Sequence, residues 1–270
     1  MQQVKVLDHG YVTLVETWGS EERIIEAARM STNKGFQGWG DDLMLECPEH
    51  GQLESDYRKG DIAIFASGEC ICMKCHKIVT KTAKRGTGDE RLLRYLYTHG
   101  HMTPFEMSGM TIEVQAPIFV FREWHRHRTQ SYNELSARYT PLPDVNYVPS
   151  EERLLMNGGK NKQAGGTGTK LTPEHAMMFQ GSLITAYEYA QELYEGALKD
   201  GVPKELARLI LPVGRYSRMR ASANLRNWLG FLALRLDSSA QWEIRQYAEA
   251  VGGLIADAFP QTWKLFKEPR

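Results

Sequence analysis

Residues 122–143 read REWHRHRTQSYNELSARYTPLP, and six of the first seven positions carry a charged or imidazole side chain. The apolar stretch before them, opened by Pro117, reads as a helix, because proline suits a first helical turn. On such a helix Glu123, Arg126 and His127 would share a face at i, i+3 and i+4, with Arg128 pointing elsewhere. An extended backbone after the helix would bring Glu134, Ser136 and Arg138 to one edge, since strand side chains repeat every two residues. A carboxylate, a hydroxyl and a guanidinium together suit a polar heterocycle carrying a phosphate, and arginine offers a planar fork to phosphate oxygens. The competing reading is a solvated, charged helix end. Trp124, Tyr132 and Tyr139 among the charges weigh against it.

Around this stretch the chain reads as a mixed α/β (α+β) protein, richer in helix. VKVLDHGYVTLVETWG near the N-terminus alternates like a strand or hairpin, and SGMTIEVQAP reads as a second strand. SEERIIEAARMST, with Ser20 as a candidate cap, and GDERLLRYLYTHGH, with Asp89 as one, read as helices. A further helix should start at Thr172–Pro173 and stop at Gly201, and a short one should start at Pro203. NLRNWLGFLALRL and SSAQWEIRQYAEAVGGLIADAF complete a helical C-terminal half. Residues 156–170 are glycine-rich and read as a loop.

Composition sets limits. The 270 residues hold 33 basic and 33 acidic side chains, so no global field draws the chain to nucleic acid or membrane, and any anion must be bound locally. No apolar run approaches the roughly 20 residues that span a bilayer, and no signal pattern opens the chain, which makes a cytoplasmic location the expectation. All four cysteines fall between positions 47 and 75. Cys47-x2-His50 and Cys72-x2-Cys75 resemble the two ligand pairs of a zinc ribbon, with Cys70 and His76 as spare ligands. A closed four-ligand site leaves no position for substrate, so such a zinc would be structural. The segment 40–85 reads as an inserted zinc-ribbon-like module; reduced surface thiols in a loop are the plainer alternative. Its Lys74, Lys77, Lys81, Lys84 and Arg85 leave contact with nucleic acid or another partner open.

RHRTQSYNELSARY resembles the signature of the flavin-dependent thymidylate synthase family, Arg-His-Arg followed by seven residues and a serine: Arg126, His127, Arg128 and Ser136. THGHMTPFE at 98–106, ARLILP at 207–212, NLR at 224–226 and LRLDSSAQWEIRQYA at 234–248 also resemble family blocks, in the family's order. The resemblance covers about 1–33 and 88–262. It implies one synthase domain over 1–270, an antiparallel sheet flanked by long helices, and active sites formed within a homotetramer. It implies reductive methylation of dUMP to dTMP, with methylene-tetrahydrofolate as carbon donor and NAD(P)H feeding a bound FAD, and no cysteine nucleophile.

By resemblance, Arg126, His127 and Arg128 contact FAD, with Arg126 also near the nucleotide. Ser31, His101, Thr103, Glu106, Asn224 and Arg226 match flavin-contacting positions, and Glu134 belongs near both molecules. Glu123, Glu134, Ser136, Ala137 and Arg138 would line the dUMP site, and Arg208 would reach its phosphate. Arg235 would stand at the pyrimidine edge, where its permanent charge favours ionising ring N3; a salt bridge to Asp237 is the structural alternative. Ser136 looks like a nucleophile, but no base lies at an obvious local spacing, so hydrogen bonding suits it better. Gly230 stands where the family usually carries Asn or His. Glu123 could accept from an amino group, which keeps a dCMP-type substrate open. A non-catalytic binding protein acting through the zinc ribbon is the alternative of a different class. The stripes Phe179, Leu183, Tyr187 and Tyr247, Val251, Leu254 could serve core or interface.

Overall fold

The computed structural model describes residues 2–39, 42–53, 62–64, 69–84, 88–156 and 171–268. The glycine-rich loop expected at 156–170 lies outside them apart from Met156. The chain opens with β1 (Gln3–Val6), β2 (Gly10–Trp18) and α1 (Glu21–Arg29). Short strands follow, β3 (Asp42–Cys47), β4 (Gly51–Leu53), β5 (Ile62–Ile64), β6 (Cys70–Cys72) and β7 (Thr80–Lys84), and then α2 (Asp89–Thr98). Next come β8 (Gly109–Pro117), α3 (Ile118–Trp124), β9 (Ser131–Glu134), α4 (Glu151–Leu155), α5 (Pro173–Lys199) and α6 (Lys204–Ala207). The described chain closes with β10 (Tyr216–Asn224), α7 (Leu225–Arg235), α8 (Trp242–Ala258) and α9 (Pro260–Lys267). Two compact units result: Met1–Glu21 with Phe105–Arg270, and Glu22–Pro104, within which the segment 40–85 falls.

The larger unit is built on an antiparallel sheet of order β1-β2-β8-β10-β9. Met110, Ile112 and Val114 of β8 stand opposite Ala223, Ala221 and Met219 of β10, so a single face collects the apolar side chains. Period-two alternation makes this happen, as the sequence of β8 predicts. The face is covered by α3, α7 and α8. Ile244, Tyr247, Ala248, Val251, Leu254 and Ile255 recur along α8 at helical spacing and are wholly buried. The stripe Tyr247, Val251, Leu254 is therefore core. Trp124 at the end of α3 stacks on Phe231 of α7 at 4.6 Å, and the two lie at the centre of this layer. Burying a phenylalanine side chain contributes about 1.5–3 kcal/mol, and the larger tryptophan more.

Several local expectations hold. Thr172 caps α5 by accepting from the His175 amide, Pro173 opens it, and Gly201 (φ +86°) lets the chain turn away with the Val202 amide donating to the Ala197 carbonyl. Asp89 does something else. Gly88 is the cap of α2, while the fully buried Asp89 carboxylate accepts from the Arg29 guanidinium and from the Gln37 and Gly38 amides, 2.5 and 3.0 Å away. A buried charge needs that many donors, and a capping role would supply fewer. In the larger unit, buried Glu21 accepts from the Gln261 and Thr262 amides at the N-terminus of α9, where backbone donors are unpaired and the helix dipole favours an anion.

Candidate active site

The α3 helix stops sooner than its periodicity suggests. Its last residue is Trp124, and His125 to Gln130 form tight turns, with the His127 amide donating to the Trp124 carbonyl at 3.0 Å. Side chains compete successfully for the helix end. The Tyr132 hydroxyl lies 2.7 Å from the His127 carbonyl and 3.2 Å from that of Trp124, and Trp124 Nε1 donates to Gln130 Oε1 at 3.0 Å. Asn227 Nδ2 of α7 donates to the Thr129 carbonyl at 3.0 Å and pins the far side of the turn. Glu123, Arg126 and His127 consequently do not share a helical face; the last two belong to the turn.

Arg235, the last residue of α7, organises what lies beneath. Its Nε donates to His127 Nε2 at 2.8 Å, Nη1 to Glu123 Oε2 at 3.1 Å and Nη2 to the Glu123 carbonyl at 2.8 Å. A cation at the C-terminal carbonyls of α3 is favoured by the exposed oxygens and by the helix dipole. Asp237 is not its partner, since that carboxylate accepts from Ser239 instead. Of the five guanidinium N–H groups, one on each Nη stays available.

The arrangement fixes the state of His127. A guanidinium only donates, so Nε2 must hold a lone pair and the proton of the neutral ring sits on Nδ1. Burial and the charge of Arg235 push the imidazole down to about 4, against a weaker upward pull from Glu123. The ring packs edge-on to Phe231 at 4.9 Å. Burial alone pushes the nearby Tyr132 hydroxyl up to about 12. At neutral pH both are neutral donors. Arg126 and Arg128 project from the same turn, exposed and without a side-chain partner among the described residues.

The segment after β9 differs from the extended edge expected. Glu134 ends the strand opposite Met219, the Leu135 amide still pairs with the Arg218 carbonyl, and the chain then turns, with the Tyr139 and Thr140 amides donating to the Ser136 carbonyl. Ser136 Oγ accepts from the Arg138 amide at 3.3 Å, and among the described residues no imidazole or carboxylate is bonded to it. The hydroxyl therefore has a hydrogen-bonding environment and no activating base. Ala137 is buried beneath this turn. Lys204 Nζ donates to the Tyr139 carbonyl at 3.0 Å, and Arg138 faces Glu205 at 3.6 Å, which sets α6 beside the turn. Arg208 begins the 3-10 turn that continues α6 and is exposed, without a side-chain partner among the described residues. Glu134, Ser136, Ala137, Arg138 and Arg208 are thus carried by neighbouring segments.

Other expected positions have local partners. Arg226 pairs with Glu106 at 2.5 Å, and the Asn224 side chain caps α7 by accepting from the Asn227 amide at 2.9 Å. In the smaller unit Ser31 Oγ donates to the Ala28 carbonyl, His101 stacks near-parallel to Tyr95 at 5.8 Å, and Thr103 is exposed in a 3-10 turn. Gly230 is exposed on α7, and an added Cβ there would meet nothing within 4 Å. The residue pattern of the signature does not single out Phe231, Tyr132, Gln130 and Asn227 as site residues. One signal points to two of them, because Asn227, Phe231 and Arg235 recur at i, i+4 and i+8, one face of α7.

Comparison with known proteins gives the family and the fold. A family model described as thymidylate synthase complementing protein matches residues 13–261. A flavin-dependent thymidylate synthase of Thermosipho africanus is 32% identical over 98% of this chain and 93% of its own length. A Thermus thermophilus protein of the same name is 33% identical over 98% of this chain and 78% of its own. The chain belongs to the flavin-dependent thymidylate synthase family. Among solved structures, a UMP/dUMP methylase, PolB, from Streptomyces cacaoi bound with 5-Br UMP aligns with TM-score 0.70 and 29% identity over 98% of this chain and 96% of that one. The fold is accordingly that of the family, an antiparallel sheet with packed helices. The flavin-dependent thymidylate synthases are enzymes, and matches running through nearly the whole chain do not favour a retired catalytic body. No helix among the described residues is long and apolar enough to cross a membrane.

The donor set fits a flavin dinucleotide. Two guanidinium groups without a partner among the described residues answer a diphosphate, and a neutral imidazole N–H answers a ring heteroatom.

Proposed function

We propose that this chain converts dUMP to dTMP with methylene-tetrahydrofolate as carbon donor and NAD(P)H as the source of reducing equivalents, on bound FAD. The reading rests on one observation: Arg235 is locked by three hydrogen bonds between Glu123 and His127, and the turn that carries His127 also carries two arginines without a side-chain partner among the described residues. FAD, when bound, supplies the hydride that completes the methyl group. The protein supplies orientation and charge. Arg126, His127 and Arg128 hold the flavin, with Arg126 also near the nucleotide; Glu106, Asn224 and Arg226, and Ser31, His101 and Thr103, are assigned to the flavin by family position. Arg208 takes the nucleotide phosphate, and Glu134, Ser136, Ala137 and Arg138 line the nucleotide.

The free N–H groups of Arg235 present a fixed cation to the pyrimidine edge. Stabilising negative charge on ring N3 and its neighbouring oxygens raises the nucleophilicity of carbon 5. Because the guanidinium is already positioned, little reorganisation is needed as that charge develops. Glu123 Oε1 is not bonded to Arg235 and is free to accept from the ring N–H. Ser136 donates a hydrogen bond and forms no covalent bond.

A homotetramer is part of the same proposal. Of the 27 residues of α5 only Ala176 and Tyr194 are buried, and Met177, Met178, Phe179 and Tyr189 are 66%, 62%, 49% and 62% exposed. Apolar surface of this extent on one helix favours association, and native mass measurement should give four chains.

The test of activity is direct. The purified protein should carry the flavin spectrum and oxidise NADPH faster with dUMP present. With methylene-tetrahydrofolate it should release dTMP, identified by mass. Running UMP and dCMP in parallel reads the sugar and the base separately. Protein that holds no flavin, or that turns over dCMP in preference to dUMP, would refute the assignment.

A further inference from the structure

The catalytic reading leaves the cysteines unused. Cys47 and His50 flank the turn between β3 and β4, and Cys72 and Cys75 flank the turn after β6. Their ligand atoms all lie within 4.8 Å of one another. Cys47 Sγ is 3.4 Å from Cys75 Sγ and 3.4 Å from His50 Nδ1, and Cys72 Sγ is 3.6 Å from His50 Nδ1. A tetrahedral zinc, with bonds of about 2.3 Å to sulfur and about 2.0 Å to nitrogen, spaces its ligands about 3.8 Å apart for sulfur–sulfur pairs and about 3.5 Å for sulfur–nitrogen pairs. These three contacts agree with those edges to within about 0.4 Å.

The backbone around the two pairs is alike. Each Cys-x2-ligand turn is followed by a residue in the left-handed region, Gly51 at φ +65° and His76 at φ +59°. Glycine adopts this without strain, whereas a histidine there costs roughly 1–2 kcal/mol. The His76 amide in turn donates to the Cys72 carbonyl at 2.7 Å, and the Cys72 amide to the Lys77 carbonyl. Neither His76, which is exposed, nor Cys70, which is buried in one core cluster with Leu45 and Val79, belongs to the four-atom group. Among the described residues, the module's core consists of Leu45, Cys47, Cys70, Cys72 and Val79 with Cys75 packed against it. Small modules of this kind commonly rely on a disulfide or a metal. A Cys47–Cys75 disulfide would leave Cys72 and His50 converging on nothing.

We propose that Cys47, His50, Cys72 and Cys75 bind one zinc ion in a closed tetrahedral site of three thiolates and one imidazole, His50 through Nδ1. All four positions of the ion are then protein ligands. It bonds no substrate and acts by holding the two turns together. Thiolates and imidazole select zinc over the hard cations that oxygen ligands take.

Full-length protein purified without chelator should contain about one zinc per chain by elemental analysis. Cys72→Ser and Cys75→Ser should lose it, Cys70→Ser should keep it, and His50→Cys should keep it as a four-thiolate site. If the serine variants fail to fold, the native protein still decides the matter. Titrating its thiols with a mercurial should release zinc in step with the modified cysteines, and cobalt substitution should give the visible bands of tetrahedral thiolate ligation. Less than roughly one-tenth of a metal per chain, stoichiometric iron, a Cys47–Cys75 disulfide in the intact protein, or equal zinc loss from Cys70→Ser would each overturn the assignment.

Discussion

The sharpest prediction concerns the proton on His127. Arg235 Nε can only donate, so the ring must accept at Nε2 and carry its proton on Nδ1. Burial first, and Arg235 second, lower its titration from the ordinary 6.5 to about 4. A fall of about 2.5 units corresponds to about 3 kcal/mol between the two protonation states in this environment. The site is only half buried, so solvent screening reduces the part expressed as stability to an order of 1 kcal/mol. The sign follows from linkage. Between about pH 6.5 and pH 4 the unfolded chain holds a proton at this ring and the folded chain does not, so stability is lost as the pH falls through that window and levels off below it. Histidine-labelled protein should show one ring, absent in His127→Gln, that stays neutral to below about pH 5, with the nitrogen shifts of the Nδ1–H tautomer. Arg235→Ala should move that ring upward toward 6.5 without reaching it, because burial, the larger cause, remains. A His127 signal that titrates near 6.5 in the native protein, or an Nε2–H tautomer, would refute the reasoning.

Other outcomes follow from the same geometry. Arg208→Ala should leave the melting temperature nearly unchanged, since the side chain is exposed and has no partner among the described residues. It should raise KM for the nucleotide about 10- to 100-fold, the worth of a charge-assisted hydrogen bond. Steady-state kinetics with calorimetry separates the two. Tyr132→Phe removes the hydroxyl that serves the Trp124 and His127 carbonyls; it should cost about 1 kcal/mol in denaturant unfolding and weaken flavin retention during gel filtration. Gly230→Ala should raise stability by about 0.5–1 kcal/mol, because the position is exposed and open within a helix. Unchanged turnover in that variant would show that no ligand uses the space.

Much of the architecture is legible in residue patterns. The alternation in β8 and the helical stripe of α8 specify burial directly, since the same side chains that set the period also form the core. The cap at Thr172 and the stop at Gly201 are local chemistry and can be read locally. Competing side chains and partners distant in sequence decide the rest. The helix face expected for Glu123, Arg126 and His127 fails because Gln130, Tyr132 on β9 and Asn227 on α7 unwind the end of α3. Asp89 reads as a cap because nothing near it announces Arg29, sixty positions earlier. Likewise Asp237 is the nearer candidate partner for Arg235, yet Glu123 and His127 are the ones that meet it.

The pairing of β2 with β8 bears on how this protein reaches its fold. Trp18 stands opposite Gly109, so about 90 residues are looped out between two neighbouring strands of one sheet. Closing a flexible loop depends on length only logarithmically, and doubling or halving this one changes the equilibrium cost by about 0.6 kcal/mol. The sheet can therefore carry a large insertion at that point for almost nothing at equilibrium. Kinetics is less forgiving. Non-local pairing slows folding, and β8 must find β2 after everything between them has been synthesised. A module that gains order early from its own ligand would shorten the effective chain to be searched, so the benefit of the insertion's internal staple would show in the refolding rate of the sheet.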